Sequence, residues 1–123
     1  MRMVLLGLLS MVLAACANQD APVIPPQMSG DVQISVEPRP EIPIVGMNEF
    51  LVTATHKPSR PAFDLIVSVR MSESDVWQQA IQDGHVGVYR RALMVSDPAT
   101  QAVFVRIEQG GKTRELRFPL KVK

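Results

Sequence analysis

The sequence predicts an all-β domain, an immunoglobulin-like sandwich of about seven short strands, behind an N-terminal export and anchoring segment. Three observations carry this. Apolar and polar residues alternate with a period of two through most of the chain after residue 30. Clusters of Pro, Gly, Asp and Ser break these runs at roughly 8–12-residue spacing. No stretch there holds a helical period of useful length. The body, residues 31–123, is close to the size of one immunoglobulin-like domain.

DVQISVE alternates, with Val32, Ile34 and Val36 on one face, and reads as a half-buried strand. PRPEIPIVG follows, and its prolines keep it out of a central sheet position. MNEFLVTATH sets Phe50, Val52 and Ala54 on one face, and HKPSRP is a turn. AFDLIVSVRM gives the clearest alternation, with Phe63, Leu65, Val67, Val69 and Met71 sharing a face opposite Asp64, Ser68 and Arg70. SESD is a polar break, and DVWQQAI fits either a short strand or a helical turn. Asp83-Gly84 marks a hairpin. VGVYRRALMV is a strand of ambiguous facing, as though a bulge shifted its alternation near Arg90 and Arg91. SDPATQ turns the chain into AVFVRIEQ, with Val103, Val105 and Ile107 on one face. Gly110-Gly111 is a two-residue hairpin loop. KTRELRFPLKV closes the domain with Leu116, Phe118, Leu120 and Val122 on one face. Pro119 donates no ladder bond, so this strand belongs at a sheet edge or turns that position outward.

The N-terminus reads as an address. Arg2 supplies a positive charge, and MVLLGLLSMVL is an apolar run too short for a spanning helix. It has the length of a signal-peptide core. Leu13-Ala14-Ala15-Cys16 closely resembles the bacterial lipoprotein lipobox. That resemblance implies a signal peptide over residues 1–15, cleavage after Ala15, a diacylglycerol on the Cys16 sulfur and acylation of the new amino terminus. Cys16 is the only cysteine, so it cannot form an internal disulfide. Multiple acyl chains hold a protein firmly, at about 0.8 kcal/mol per buried methylene. Ala17 stands where an aspartate commonly retains Gram-negative lipoproteins at the inner membrane. By the same resemblance the expected address is the periplasmic face of the outer membrane. ANQDAPVIPPQMSG then reads as a proline-bearing tether, making residues 16–30 the lipidated cysteine and spacer.

The body also resembles the YtkA-like and FixH-like domains of bacterial envelope proteins. The resemblance spans residues 43–122 and rests on Asn48-Glu49-Phe50, Gly87-Val88-Tyr89 and Phe118-Pro119-Leu120. It implies an immunoglobulin-like sandwich without a catalytic role. Some members are linked to copper handling or to assembly of terminal oxidases. Members that look copper-related often carry His and Met between the second and third strands of the motif. Here MSESDVWQQAIQ supplies Met71 and no histidine.

With 13 basic and 12 acidic residues, nothing in the charge balance calls for nucleic acid as a partner. The two histidines, His56 and His85, lie in no nucleophile context, so no enzyme is expected. Asp64, Glu73, Asp75 and Asp83 read as loop charges. Imidazole and thioether suit copper, and His56, His85, Met47, Met71 and Met94 offer them, which makes His56, His85, Met71 and Met94 the candidate ligands of a copper-binding accessory protein. Arg, Tyr and Trp are enriched at binding hot spots, which makes Trp77, Tyr89, Arg90 and Arg91 the candidate contacts of a protein-binding module. The leading expectation is such a module, anchored by lipid and partnered by another envelope protein. Copper binding comes second.

Overall fold

A computed structural model describes residues 23–123. The proposed signal segment, Cys16 and the first part of the tether lie outside the described residues. Ten strands follow in order: β1 (Gln27–Ser29), β2 (Val32–Arg39), β3 (Gly46–His56), β4 (Arg60–Pro61), β5 (Ile66–Arg70), β6 (Gln78–Gln79), β7 (Ile81–Gln82), β8 (Val88–Val95), β9 (Ala102–Gln109) and β10 (Lys112–Pro119). They form two antiparallel sheets. The first runs β1-β2-β3-β8-β7, with β4 added to β3, and the second runs β10-β9-β5-β6. The order of the long strands is that of an immunoglobulin sandwich, with β2, β3 and β8 in one layer and β5, β9 and β10 in the other.

The alternation read from the sequence is what fills the space between the layers. Val32, Ile34, Phe50 and Val52 point inward from one sheet, and Val67, Val69, Val103, Val105, Ile107 and Phe118 from the other. Each such side chain contributes about 1.5–3 kcal/mol on full burial. Pro119 ends β10, which is an edge strand. Gly110 and Gly111 both hold positive φ, the geometry of a two-residue hairpin turn between β9 and β10.

Several expectations need correction. The ordered domain begins before residue 31, because Gln27–Ser29 pair with β2 and Ile24 packs on the core. Phe63 does not share the buried face of AFDLIVSVRM. It is 53% exposed, and β5 starts only at Ile66. Residues 62–65 are still crossing between layers, with the Ala62 N–H donating to Ala54 O on β3 at 2.9 Å. DVWQQAI is neither one strand nor a helical turn. Gln78–Gln79 pair with β5 in one sheet and Ile81–Gln82 with β8 in the other, so the chain changes layers at Ala80. β8 has no bulge, since its register with β3 runs unbroken from Thr53↔Val88 to Gly46↔Val95.

Tyr89 ties the crossing segment down. It is 1% exposed, and its hydroxyl donates to Ala62 O at 2.9 Å and accepts from Leu65 N at 3.4 Å. Burial pushes its pKa above the ordinary 10.0, with the Asp64 carboxylate adding to the rise and the Leu65 N–H opposing it. The folded state therefore keeps this proton at a pH where the unfolded chain has lost it. The resulting stability is complete below about pH 10 and is lost as pH climbs from there toward the folded value. Tyr89→Phe should cost about 1–3 kcal/mol at neutral pH, because two backbone groups lose their partner. It should also remove this alkaline fall. Denaturant titrations at pH 7 and pH 11 check both.

Candidate functional site

The four candidate metal ligands occupy opposite ends of the sandwich. His56 closes β3, and His85 lies in the turn that leads into β8. His85 packs edge-on against Phe63, with ring centroids 5.7 Å apart, and His56 Nδ1 stands 3.6 Å from Asp31 Oδ2. Met94 sits near the far end of β8, and Met71 follows β5. These two methionines line the same grooves at that far end. From Val88 to Met94 the extended chain covers roughly 20 Å, so imidazoles and thioethers do not converge on one point. Among the described residues no three His, Cys, Asp or Glu side chains cluster as a ligand set.

The four candidate interface residues also separate. Tyr89 is in the core and has no face to offer a partner. Arg90 projects from the outer face of the first sheet, and its charge is answered by Asp83 at 3.0 Å and Glu49 at 3.3 Å. Those groups are well solvated, so the pairs contribute at most about 1 kcal/mol. Arg91 stands in an inward register position, opposite Phe50. It lies where the sandwich is open at its side, so the guanidinium reaches across to the second sheet. Arg91 Nη2 and Nε donate to Gln78 Oε1 at 2.8 and 3.2 Å, and Nη1 to Gln79 O at 3.4 Å. This explains the ambiguous facing of VGVYRRALMV: the alternation is regular, and an arginine occupies one inward position.

Trp77 is the candidate that the fold equips. It is not a core residue. It precedes β6 and lies half-buried over the outer face of the second sheet. Arg70 on β5 places its guanidinium carbon 4.1 Å from the indole centroid, and Arg106 on β9 places its own at 5.0 Å. Arg70 also lies 5.9 Å from the Phe104 ring. The register sets this up. Arg70 pairs with Phe104 and Ser68 with Arg106, so both arginines rise from neighbouring strands onto one surface.

Arg70 Nη1 donates to Asp75 O at 3.3 Å, which holds the chain leading into Trp77. The Nε atoms of both arginines are covered and have no hydrogen-bond partner among the described residues. Each cation–π contact contributes about 0.5–2 kcal/mol, depending on how dry it is. The result is a half-buried tryptophan plate held on two positive charges.

Arg106, Phe104 and the stacking role of Arg70 escaped the sequence reading. The alternation does put Arg70 on the outward face. Nothing local shows that Arg106, far along the chain, shares its surface, because only the β5–β9 register brings them together. No known protein family, curated protein or solved structure matches this chain.

Proposed function

We propose that this chain is a lipid-anchored bacterial envelope lipoprotein whose immunoglobulin-like domain acts by binding another protein. Leu13-Ala14-Ala15-Cys16 supports the anchor, and Ala17 supports an outer-membrane address facing the periplasm. The observation that carries the binding half is the Trp77 plate. A lone tryptophan in a small sandwich gains most by burial in the core. Here it lies on an outer sheet face, stacked on Arg70 and Arg106. Trp and Arg held rigidly at a partly exposed face are the residue types that dominate binding energy, because little side-chain freedom is lost on contact. No observation favours the copper reading, whose candidate ligands stand at opposite ends.

A photo-crosslinking amino acid at Gln79, two residues from Trp77 and on the same outer face, tests this in intact envelopes. A discrete protein adduct is expected, reduced at least about tenfold by Trp77→Ala. Absence of an adduct, or an adduct indifferent to Trp77→Ala, would contradict the assignment.

A further inference from the structure

Among the described residues, three long strands each present a run of edge backbone with no strand paired to it: β10 along its outer side, where Gln27 Nε2 donates to Arg117 O, β2 beyond Ile34 and β8 beyond Arg90. Such edges recruit other strands unless charge or proline blocks them. Two of the three are blocked. The β10 edge carries Lys112, Arg114, Glu115 and Arg117 and ends in Pro119. Leu120 N turns inward to Gln101 O, which leaves Pro119 facing out, where a free N–H would otherwise project. The β2 edge carries Glu37, Pro38 and Arg39. The two-residue turn between Ser29 and Val32 directs the backbone groups of Val32, Ile34, Val36 and Pro38 toward that edge. Proline again removes a donor.

The β8 edge carries no such block in its own strand. Its free run is Ala92-Leu93-Met94-Val95, with neither charge nor proline. The Asp83 N–H donates to Val88 O at 2.8 Å, so Val88, Arg90, Ala92 and Met94 all turn their backbone groups to this side. β7 covers the edge only as far as Arg90. The chain then leaves for the other sheet, where the Ala80 N–H donates to Val67 O at 2.8 Å. The N–H and C=O groups of Ala92 and Met94 are left facing outward. Beside them, Met94 and its cross-strand neighbour Met47 are 56% and 54% exposed.

We propose that this edge is a self-association site, at which a second copy of the chain adds its own β8 antiparallel, centred on Leu93. In that register Ala92 of one copy opposes Met94 of the other, and both residues present outward backbone groups. Four N–H···O bonds form, and the Met47, Met94 and Ala92 surfaces join across the twofold axis. The paired runs carry no charge of their own, so no like charges oppose each other within them. Arg91, whose partners within its own chain are the neutral Gln78 and Gln79 groups, comes beside the second copy's Ser96-Asp97 turn. The contact is short compared with the roughly 1,600 Å² of a standard interface, so its dissociation constant in solution lies between about 1 μM and a few hundred μM. The pairing does not depend on the anchor, but confinement of two chains to one membrane would strengthen it.

The test uses the full chain dispersed in excess non-ionic detergent micelles, from about 10 μM to 1 mM, with mass by sedimentation and amide exchange by NMR. The mass should rise toward two chains. Exchange at Ala92 and Met94 should slow at least about tenfold with concentration, while Thr113 and Glu115 on the guarded β10 edge stay fast. Met94→Pro removes a donor that points away from β3 and so spares the intrachain ladder. It deletes two hydrogen bonds per dimer and should weaken association about thirty-fold. A single-chain mass at 1 mM would overturn the proposal. So would a dimer that leaves Ala92 and Met94 exchange unchanged or ignores Met94→Pro, or protection of this edge only by a different protein.

Discussion

Gly87→Ala should lower stability by about 3–4 kcal/mol, a fall of roughly 15–25 °C in melting temperature for a domain of this size. Gly87 is buried at the entry to β8 with φ at +75°. A side chain in that conformation costs about 1–2 kcal/mol in backbone strain alone. Space is the larger obstacle. A Cβ there would lie 2.5 Å from Ala54 O and 3.2 Å from Ala62 N, both backbone atoms that cannot swing aside. The same atoms are already bonded to one another, Ala62 N to Ala54 O at 2.9 Å, and Ala54 N donates to Gly87 O at 2.8 Å. Relief of the clash stretches both bonds where β3, β8 and the crossing segment meet, at about 1 kcal/mol each. Gly84→Ala is the comparison. Its φ is +63° with nothing among the described residues within 4 Å of an added Cβ, so strain alone should cost about 1–2 kcal/mol. Equal losses for the two variants, by thermal or denaturant unfolding, would show that the close approach does not matter.

Asn48→Ala should cost about 2–4 kcal/mol, with no change in secondary-structure content. Asn48 is 2% exposed and faces inward on β3, opposite Leu93. Its amide holds the loop that precedes the strand. Oδ1 accepts from Ile44 N at 2.9 Å, and Nδ2 donates to Ile44 O at 2.7 Å and Gly46 O at 3.1 Å. The Lys123 N–H fixes the same loop through Pro43 O at 2.8 Å. Alanine leaves the Ile44 N–H and C=O without partners beside the core, while Gly46 O keeps its ladder bond to Val95, and a methyl group returns none of that energy. A denaturant midpoint shifted by less than about 1 kcal/mol in equivalent stability would mean that water replaces the amide.

Both residues belong to the short motifs behind the YtkA-like and FixH-like resemblance. So do Tyr89, which ties the layer crossing, and Phe118, which fills the core. In this fold those positions have structural work that explains their residue types without a ligand.

The long strands were legible because each buries one face, so the period of two appears directly in the residues. Phe63 was misplaced because alternation carries no mark of where a strand ends and a crossing begins. β1 was invisible because Gln-Met-Ser has no alternation to read. It pairs only because the Gly30-Asp31 turn folds it back on β2. The candidate sites fared worse, for a related reason. A site depends on which outward faces share a surface, and register sets that. His56, His85, Met71 and Met94 are the right chemistry at opposite ends of β8. Arg70 and Arg106 are ordinary outward charges until β5 and β9 pair beneath Trp77.

The envelope assignment stands on Cys16, and mass spectrometry of the membrane-extracted protein tests it most directly. The mature chain should begin at Cys16, with a diacylglycerol on its sulfur and an acylated amino group, and Cys16→Ser should persist as an unprocessed chain without acyl label. A mature chain that begins elsewhere, or a Cys16→Ser variant still processed and held by lipid, would contradict a lipid-anchored envelope protein.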